Sequence, residues 1–168
     1  RNFIYQGNRP PILRLSWTAR LRTTVFWIAA LYTPFAFAGP DLTALVLQRD
    51  SIALEAALAA GADPEQRSAT GELPLLTAVK AHHADAVKAL LGAGADPDNT
   101  NRLGESSLHV AVAGTAEILR SLLEAGANPN ARDAGGVTPL MLAAGEGSQQ
   151  RVDLLLAAGA RIDMKDYQ

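Results

Sequence analysis

The motif GADP at residues 61 to 64 constrains the fold of this chain most, because it recurs at a nearly constant interval. It returns as GADP at 94, GANP at 126 and GARI at 159, so the intervals are 33, 32 and 33 residues. A period in the low thirties is typical of stacked helical repeats. One unit of such a stack buries only one side of its helices, and its neighbour completes the core. The spacing therefore predicts an all-α solenoid of about four units.

Each unit carries apolar residues at helical spacing before its repeat glycine. A first helix is predicted to begin at Pro74 or Pro139, because a proline at the first helical position removes no intrahelical hydrogen bond. A short turn then leads to a second helix, which the repeat glycine can end in a left-handed conformation without steric cost. The third unit aligns with the others only if one residue is deleted between its two helices. In the second unit the apolar positions are Leu75, Ala78, Val79, Ala86, Val87, Leu90 and Leu91.

A polar connection of nine residues, such as 127–135, joins one unit to the next. A short polar side chain stands seven residues after each repeat glycine, at Ser68, Asn101, Asp133 and Asp166. Such side chains can accept hydrogen bonds from the backbone of a tight turn. Each connection is therefore predicted to form a projecting, hairpin-like turn.

The first 38 residues have the organisation of an export signal. An arginine-bearing start without acidic residues precedes an apolar stretch at 23–32, Pro34 interrupts that stretch, and Ala36 and Ala38 form a small-residue pair. This order predicts a signal peptide over residues 1–38, cleaved after Ala38, and a mature repeat domain over 39–168.

An uncleaved membrane anchor or a buried helix is the alternative to a signal peptide. Residues 23–38 comprise 16 residues including a proline, fewer than the roughly 20 needed to cross the hydrocarbon layer. Membrane contact is accordingly expected only transiently, through the signal peptide.

The mature domain is acidic and the whole chain lacks cysteine. Residues 39–168 hold ten basic and seventeen acidic residues, and 10 minus 17 gives a net charge of −7. Such a domain repels polyphosphate, so no nucleic-acid partner is predicted. The absence of cysteine excludes disulfides, thiolate zinc sites and cysteine nucleophiles.

The sequences TPLMLAA at 138–144 and SLHVAV at 107–112, with unit ends of the form LLxxGAxxN, resemble the ankyrin repeat. The resemblance covers residues 40–168 and implies a right-angled stack of helix pairs whose turns project from one side. It also implies protein binding rather than catalysis, and no cofactor. The first unit departs from the family, since it lacks the threonine-proline opening and carries Arg49-Asp50 where Gly-His is usual. The units are about 39–70, 71–103, 104–135 and 136–168.

A further departure is Arg151, which stands where the family has an aliphatic residue in the second helix of the fourth unit. Together with the signal, the resemblance predicts an exported ankyrin repeat protein of bacterial type, in the periplasm or outside the cell.

Three histidines raise the alternative of a metal-dependent or hydrolytic enzyme. His82 and His83 with Asp85 could be ligands, but closed metal sites need more ligands than this. The resemblance instead implies a structural role for His83, and for His109 a hydrogen bond to the adjoining turn. We therefore predict no metal site and no catalytic residue.

The predicted binding surface consists of turn tips and the exposed edges of the first helices, as the resemblance implies. Arg67, Arg132 and Lys165 share one offset from the repeat glycines, and they form either a ladder suited to an acidic partner or ordinary solvated cations. A structural segment of a longer repeat array is a further alternative. The predicted partner-binding residues are Arg67, Thr70, Glu72, Lys80, Arg102, Leu103, Glu105, Arg132, Glu146, Lys165 and Tyr167, of which Arg102, Leu103 and Tyr167 are the expected anchors.

Overall fold

The structure, a computed structural model, describes residues 40–167, so the predicted signal peptide over residues 1–38 lies outside the described range. Between residues 40 and 167 the chain forms eight helices, arranged as four pairs, and no strand. The first helices of the pairs are α1 Leu42–Leu47, α3 Pro74–Lys80, α5 Ser107–Val112 and α7 Pro139–Gly145. The second helices are α2 Ser51–Ala59, α4 Ala84–Gly92, α6 Ala116–Glu124 and α8 Gln149–Ala157.

Local capping residues explain where the first helices begin. As predicted, α3 and α7 start at Pro74 and Pro139. The first unit lacks this opening, but Asp41 replaces it, because its Oδ1 accepts the backbone amides of Thr43 at 3.0 Å and Ala44 at 3.3 Å. A side-chain oxygen at this position satisfies amides that have no partner inside the helix. The unusual first unit is therefore capped by a different residue type.

The turns between paired helices show how the units differ. Arg49, His82 and Gly147 occupy the left-handed region in units one, two and four, with φ of 56°, 51° and 69°. Between Val112 and Ala116 of the third unit, no residue is left-handed. The residue deleted from the third unit is thus the left-handed one. The four repeat glycines have φ between 88° and 93° and end the second helices as predicted.

Stacking of equivalent helices builds the core. The first helices contact one another in the order α1, α3, α5, α7, and the second helices in the order α2, α4, α6, α8. A buried leucine contributes about 1.5–3 kcal/mol relative to an exposed one, so each junction is held mainly by apolar contact. The buried leucines of this core are Leu42, Leu54, Leu75, Leu90, Leu108, Leu119, Leu122, Leu140 and Leu155.

The connections between units form hairpin-like turns, as predicted. Ser68, Asn101 and Asp133 each accept, through the side chain, the backbone amide four residues later, at 3.2, 3.1 and 2.9 Å. The backbone amides of the same three residues donate to the carbonyls four residues later, at 2.9 to 3.0 Å. The short polar residue seven positions after the repeat glycine therefore closes each of these turns.

Within residues 40–167, no helix combines the length and the apolar character that a membrane crossing requires.

Candidate functional site

We call the surface formed by the first helices α1, α3, α5 and α7 and by the turns that follow the repeat glycines the front face. This face has a shallow groove between α1, α3 and the turn that precedes α3. The turn and both helices contribute side chains to the same groove, so the predicted combination of turn and first-helix residues is physically contiguous there. The lining residues are Thr43, Leu47, Thr70, Glu72, Thr77, Lys80 and Ala81.

One ion pair borders this groove. Lys80 Nζ lies 3.2 Å from Glu72 Oε2, and both side chains are more than two-fifths exposed. An exposed pair of this kind contributes at most about 1 kcal/mol to stability. Lys80 and Glu72 thus largely neutralise each other while remaining accessible to a partner.

Two arginines bind the backbone of the turn beside the groove. Arg67 Nη1 donates to the Gly71 carbonyl at 2.9 Å, and Arg102 Nη2 donates to the Thr70 carbonyl at 3.2 Å. Arg67 and Thr70 belong to the first turn, whereas Arg102 comes from the next turn along the stack. The two guanidinium groups therefore meet at adjacent residues of one turn tip.

The role of Arg102 differs from that of its counterparts. The residues equivalent to Arg102 in the later turns are Ala134 and Tyr167, and their backbone amides donate to the carbonyls of Leu103 at 3.1 Å and Gly135 at 3.0 Å. At the first junction the Arg102 side chain takes the place of that backbone bond. The predicted anchor Arg102 consequently also links two units.

Tyr167 and Arg132 contact each other at the other end of the stack. The Arg132 guanidinium lies 5.4 Å from the centroid of the Tyr167 ring, a cation–π distance. The ring also lies close against Gly136, where an added Cβ would come within 2.8 Å of it. Tyr167 remains 68% exposed. Two of the predicted binding residues are thus brought together and still accessible.

The remaining predicted residues are distributed along the front face. Glu105 accepts from Asn101 Nδ2 at 2.7 Å, and Glu146 is paired with Arg151. Leu103 is 64% exposed and Lys165 is exposed. The structure therefore gathers Arg67, Thr70, Glu72, Lys80 and Arg102 around one groove. Of the other six predicted residues, Leu103 follows Arg102 in the second unit and five lie on later units.

The histidines have unlike surroundings. His83 is 8% exposed, and its Nε2 lies 3.4 Å from Ser51 Oγ in the preceding unit. His82 is an exposed residue of the inter-helix turn. His109 is buried and bonded to the turn of the next unit. Over the described part of the chain, no group of three or more histidine, aspartate or glutamate side chains is placed to hold a metal ion.

Charge pairs on the second helices are separate from the front face. Lys88 Nζ on α4 lies 2.6 Å from Glu117 Oε1 on α6. The hydrogen bond between them, aided by their charge attraction, raises the pKa of Lys88 and lowers the pKa of Glu117. Both groups are exposed, so the pair adds a solvent-screened link between units two and three.

A row of inter-unit hydrogen bonds was not anticipated from the sequence. Glu65, Asp98 and Asn130 each stand four residues after a repeat glycine. Their side-chain oxygens accept the backbone amide two residues after the next repeat glycine, at 2.7, 2.8 and 2.7 Å. An acidic or amide residue at the same offset in successive units is the sequence signal that could have revealed this row.

Comparison with protein-family models agrees with this architecture. A model described as ankyrin repeats, in three copies, matches residues 43–133 and 114–166. The chain belongs to the ankyrin repeat family. Ankyrin repeats generally bind protein partners, and the helical stack of the described residues is the ankyrin fold that the sequence predicted.

A curated relative shares part of this ankyrin chain. A stretch of 63 residues, 36% of the chain, is 44% identical to the glycerophosphocholine phosphodiesterase gde1 of Schizosaccharomyces pombe. The stretch covers 6% of the length of that protein.

The ankyrin groove also contains residues that the sequence did not single out. Thr43, Leu47, Thr77 and Ala81 line it without having been predicted as binding residues. Leu47 stands fourteen residues before its repeat glycine, as Lys80 does in the second unit. Leu47 thus occupies the repeat position of the predicted contact residue Lys80, and this equivalence could have identified Leu47 from the sequence.

Proposed function

We propose that this chain is a non-catalytic module that binds a protein partner through its front face. The observation that carries the proposal is the groove to which a turn and two first helices contribute together, with five of the predicted binding residues around it. Interfaces are dominated by a few anchors such as arginine and tyrosine, and both types are accessible on this face. Binding would rely on a preformed surface with little backbone rearrangement.

A double variant tests this placement of the binding surface. Arg102→Ala combined with Tyr167→Ala removes two of the three expected anchors, and both side chains lie on turn tips outside the core. We expect weaker capture of the partner from the exported fraction by the tagged full chain, with unchanged helical circular dichroism. The control combines Arg120→Ala with Gln150→Ala on exposed positions of α6 and α8. Capture that is equally strong for all three chains contradicts the proposed surface.

Export to the periplasm or the cell exterior is the second part of the proposal. It is supported by the basic start, the apolar stretch and the small-residue pair within residues 1–38. Fractionation of a chain with a carboxy-terminal tag tests it. A shortened product that begins at Gly39 in the exported fraction is expected, whereas a full-length product confined to the cytosol contradicts export.

A catalytic function finds less support in the chain. The similarity to a phosphodiesterase spans 6% of that enzyme, so we do not extend its activity to this chain. Hydrolysis that depends on His82 and His83 would need both side chains in one site. His83 is buried beside Ser51 of α2, whereas His82 is exposed on the turn between α3 and α4. Hydrolytic activity lost on His82→Ala and His83→Ala would reverse this conclusion.

A structural segment of a longer repeat array is the remaining alternative. Such a segment would stabilise neighbouring repeats without contacting a partner through the front face. Failure of the unaltered chain to capture any partner from the exported fraction would favour it.

A further inference from the structure

Two arginines beside the groove lack acidic partners. In the region from residue 40 to 167, the ion pairs are Lys80 with Glu72, Lys88 with Glu117, Arg151 with Glu146 and Arg161 with Asp163. Neither Arg67 nor Arg102 is among them, and each donates one hydrogen bond, to a backbone carbonyl. A guanidinium has five N–H donors, so most donors of both side chains face solvent.

The positions of these arginines favour a shared anion. Arg67 donates to the Gly71 carbonyl, and Arg102 Nη2 lies 3.3 Å from the place that a Gly71 Cβ would occupy. Both guanidinium groups thus lie beside the same glycine. Planar guanidinium groups bind carboxylates through two parallel hydrogen bonds. In a domain of net charge −7, this turn tip is a local concentration of positive charge that suits a carboxylate of the partner.

The adjoining groove supplies an apolar contact. Leu47 on its wall is 64% exposed. Thr70 lines the groove and also accepts from Arg102, so the groove and the two arginines are continuous.

We propose that this part of the front face binds an acidic peptide segment of the partner. A carboxylate side chain of that segment pairs with Arg67 and Arg102, and an aliphatic side chain packs on Leu47. Glu72 does not oppose an acidic segment strongly because Lys80 neutralises it. This inference rests on the proposed function and names the chemistry of its partner.

Selection from a random peptide library displayed on phage tests this chemistry directly. The bait is the full chain. We expect the enriched peptides to combine aspartate or glutamate with an aliphatic residue. Synthetic copies of these peptides should lose at least tenfold in affinity against Arg67→Gln/Arg102→Gln, and should bind more weakly as salt concentration rises.

Matched variants separate charge from geometry. The double variant Arg120→Gln/Arg161→Gln removes the same charge from exposed positions elsewhere and should change the affinity less than twofold. Arg102→Lys retains the charge without the planar fork and should give an intermediate loss. Circular dichroism and urea unfolding confirm that each variant is folded.

The outcomes distinguish the inference from the proposed function. Enriched peptides without acidic residues, or an unchanged affinity in Arg67→Gln/Arg102→Gln, overturn the acidic-peptide inference and leave partner binding by the front face intact. The absence of any enriched peptide also overturns the inference. In that event, capture of the partner by the Arg102→Ala/Tyr167→Ala chain decides the proposed function separately.

Discussion

His109 Nε2 lies 3.1 Å from the carbonyl oxygen of Val137, and this contact joins α5 to the turn before α7. Nδ1 of the same ring receives the backbone amide of Ser106 at 3.2 Å. Because Nδ1 acts as an acceptor, Nε2 must carry the proton and donate it to Val137. One buried neutral imidazole therefore caps its own helix and connects the third unit to the fourth.

Replacing His109 should lower stability. His109→Ala leaves the Ser106 amide and the Val137 carbonyl without this partner, and we expect a loss of about 1–3 kcal/mol in the free energy of unfolding. Urea unfolding followed by circular dichroism measures it. The exposed substitution Gln150→Ala on α8 serves as the control and should stay within about 0.5 kcal/mol of the parent. A His109→Ala chain as stable as the control would contradict the assigned contact.

Replacing His82 by glycine should raise stability. His82 has φ of 51°, a left-handed conformation that costs a residue with a Cβ roughly 1–2 kcal/mol. His82→Gly removes that cost, but it adds backbone entropy to the unfolded chain. We expect a net gain of about 0.5–1 kcal/mol in urea unfolding.

The neighbouring substitution Ala81→Gly is a matched control for this gain. Ala81 has right-handed backbone angles, so glycine brings only the entropic cost there. Ala81→Gly should therefore destabilise the chain. Equal effects of the two glycine substitutions would show that the conformation of His82 carries no strain.

Asn130→Ala should loosen the fourth unit selectively. The Asn130 side chain accepts from the Arg161 amide at 2.7 Å and donates to the Gly159 carbonyl at 3.1 Å. Two lost hydrogen bonds should cost about 1–2 kcal/mol locally. Hydrogen exchange should accelerate in Gln149–Ala157 and remain unchanged in Ser51–Ala59. Uniform acceleration in both helices would indicate global destabilisation and contradict a junction-specific role.

The link between Lys88 and Glu117 should weaken in acid. The hydrogen bond to Lys88 lowers the pKa of Glu117, so the stabilisation from this pair is present above the unfolded pKa, about 4.3, and disappears as pH falls through the folded value. In Lys88→Gln the titration of Glu117, followed by carboxyl NMR shifts, should move to higher pH. Titration of Glu117 at the same pH in both chains would show that the pair does not persist in solution.

The local features of the fold could be predicted because they depend on residues close together in the chain. The glycine ends of the second helices, the proline starts of α3 and α7, and the turn-closing roles of Ser68, Asn101 and Asp133 all follow from short-range geometry. Even the missing left-handed residue of the third unit corresponds to a gap in the alignment of the repeats. The predicted binding residues were also chosen from local information, because each was identified by its position relative to a repeat glycine.

Apart from the hydrogen bond of His109 to the adjoining turn, the polar contacts between units escaped the sequence because they depend on where residues about thirty positions apart come to lie. Asn130 looked like an ordinary loop residue, although its side chain holds the next unit. Arg151, noted as a departure from the family, donates to the Gly114 carbonyl at 2.7 Å and so replaces an aliphatic contact with a polar one. Neither partner could be named until the stacking distance was known.

The sequence by itself determined the helix pairs, their order and their stacking. A chain that repeats the GADP motif about every 33 residues and carries apolar stripes on its helices has few ways to bury its core. Tertiary structure alone decided the surroundings of the front-face arginines. The Arg67 and Arg102 guanidinium groups lie beside Gly71 without a carboxylate partner, whereas the Arg132 guanidinium lies over the Tyr167 ring. The reason is physical: a repeat fixes the backbone positions of equivalent residues, but the neighbours across each junction set the charge and hydrogen bonding of each side chain.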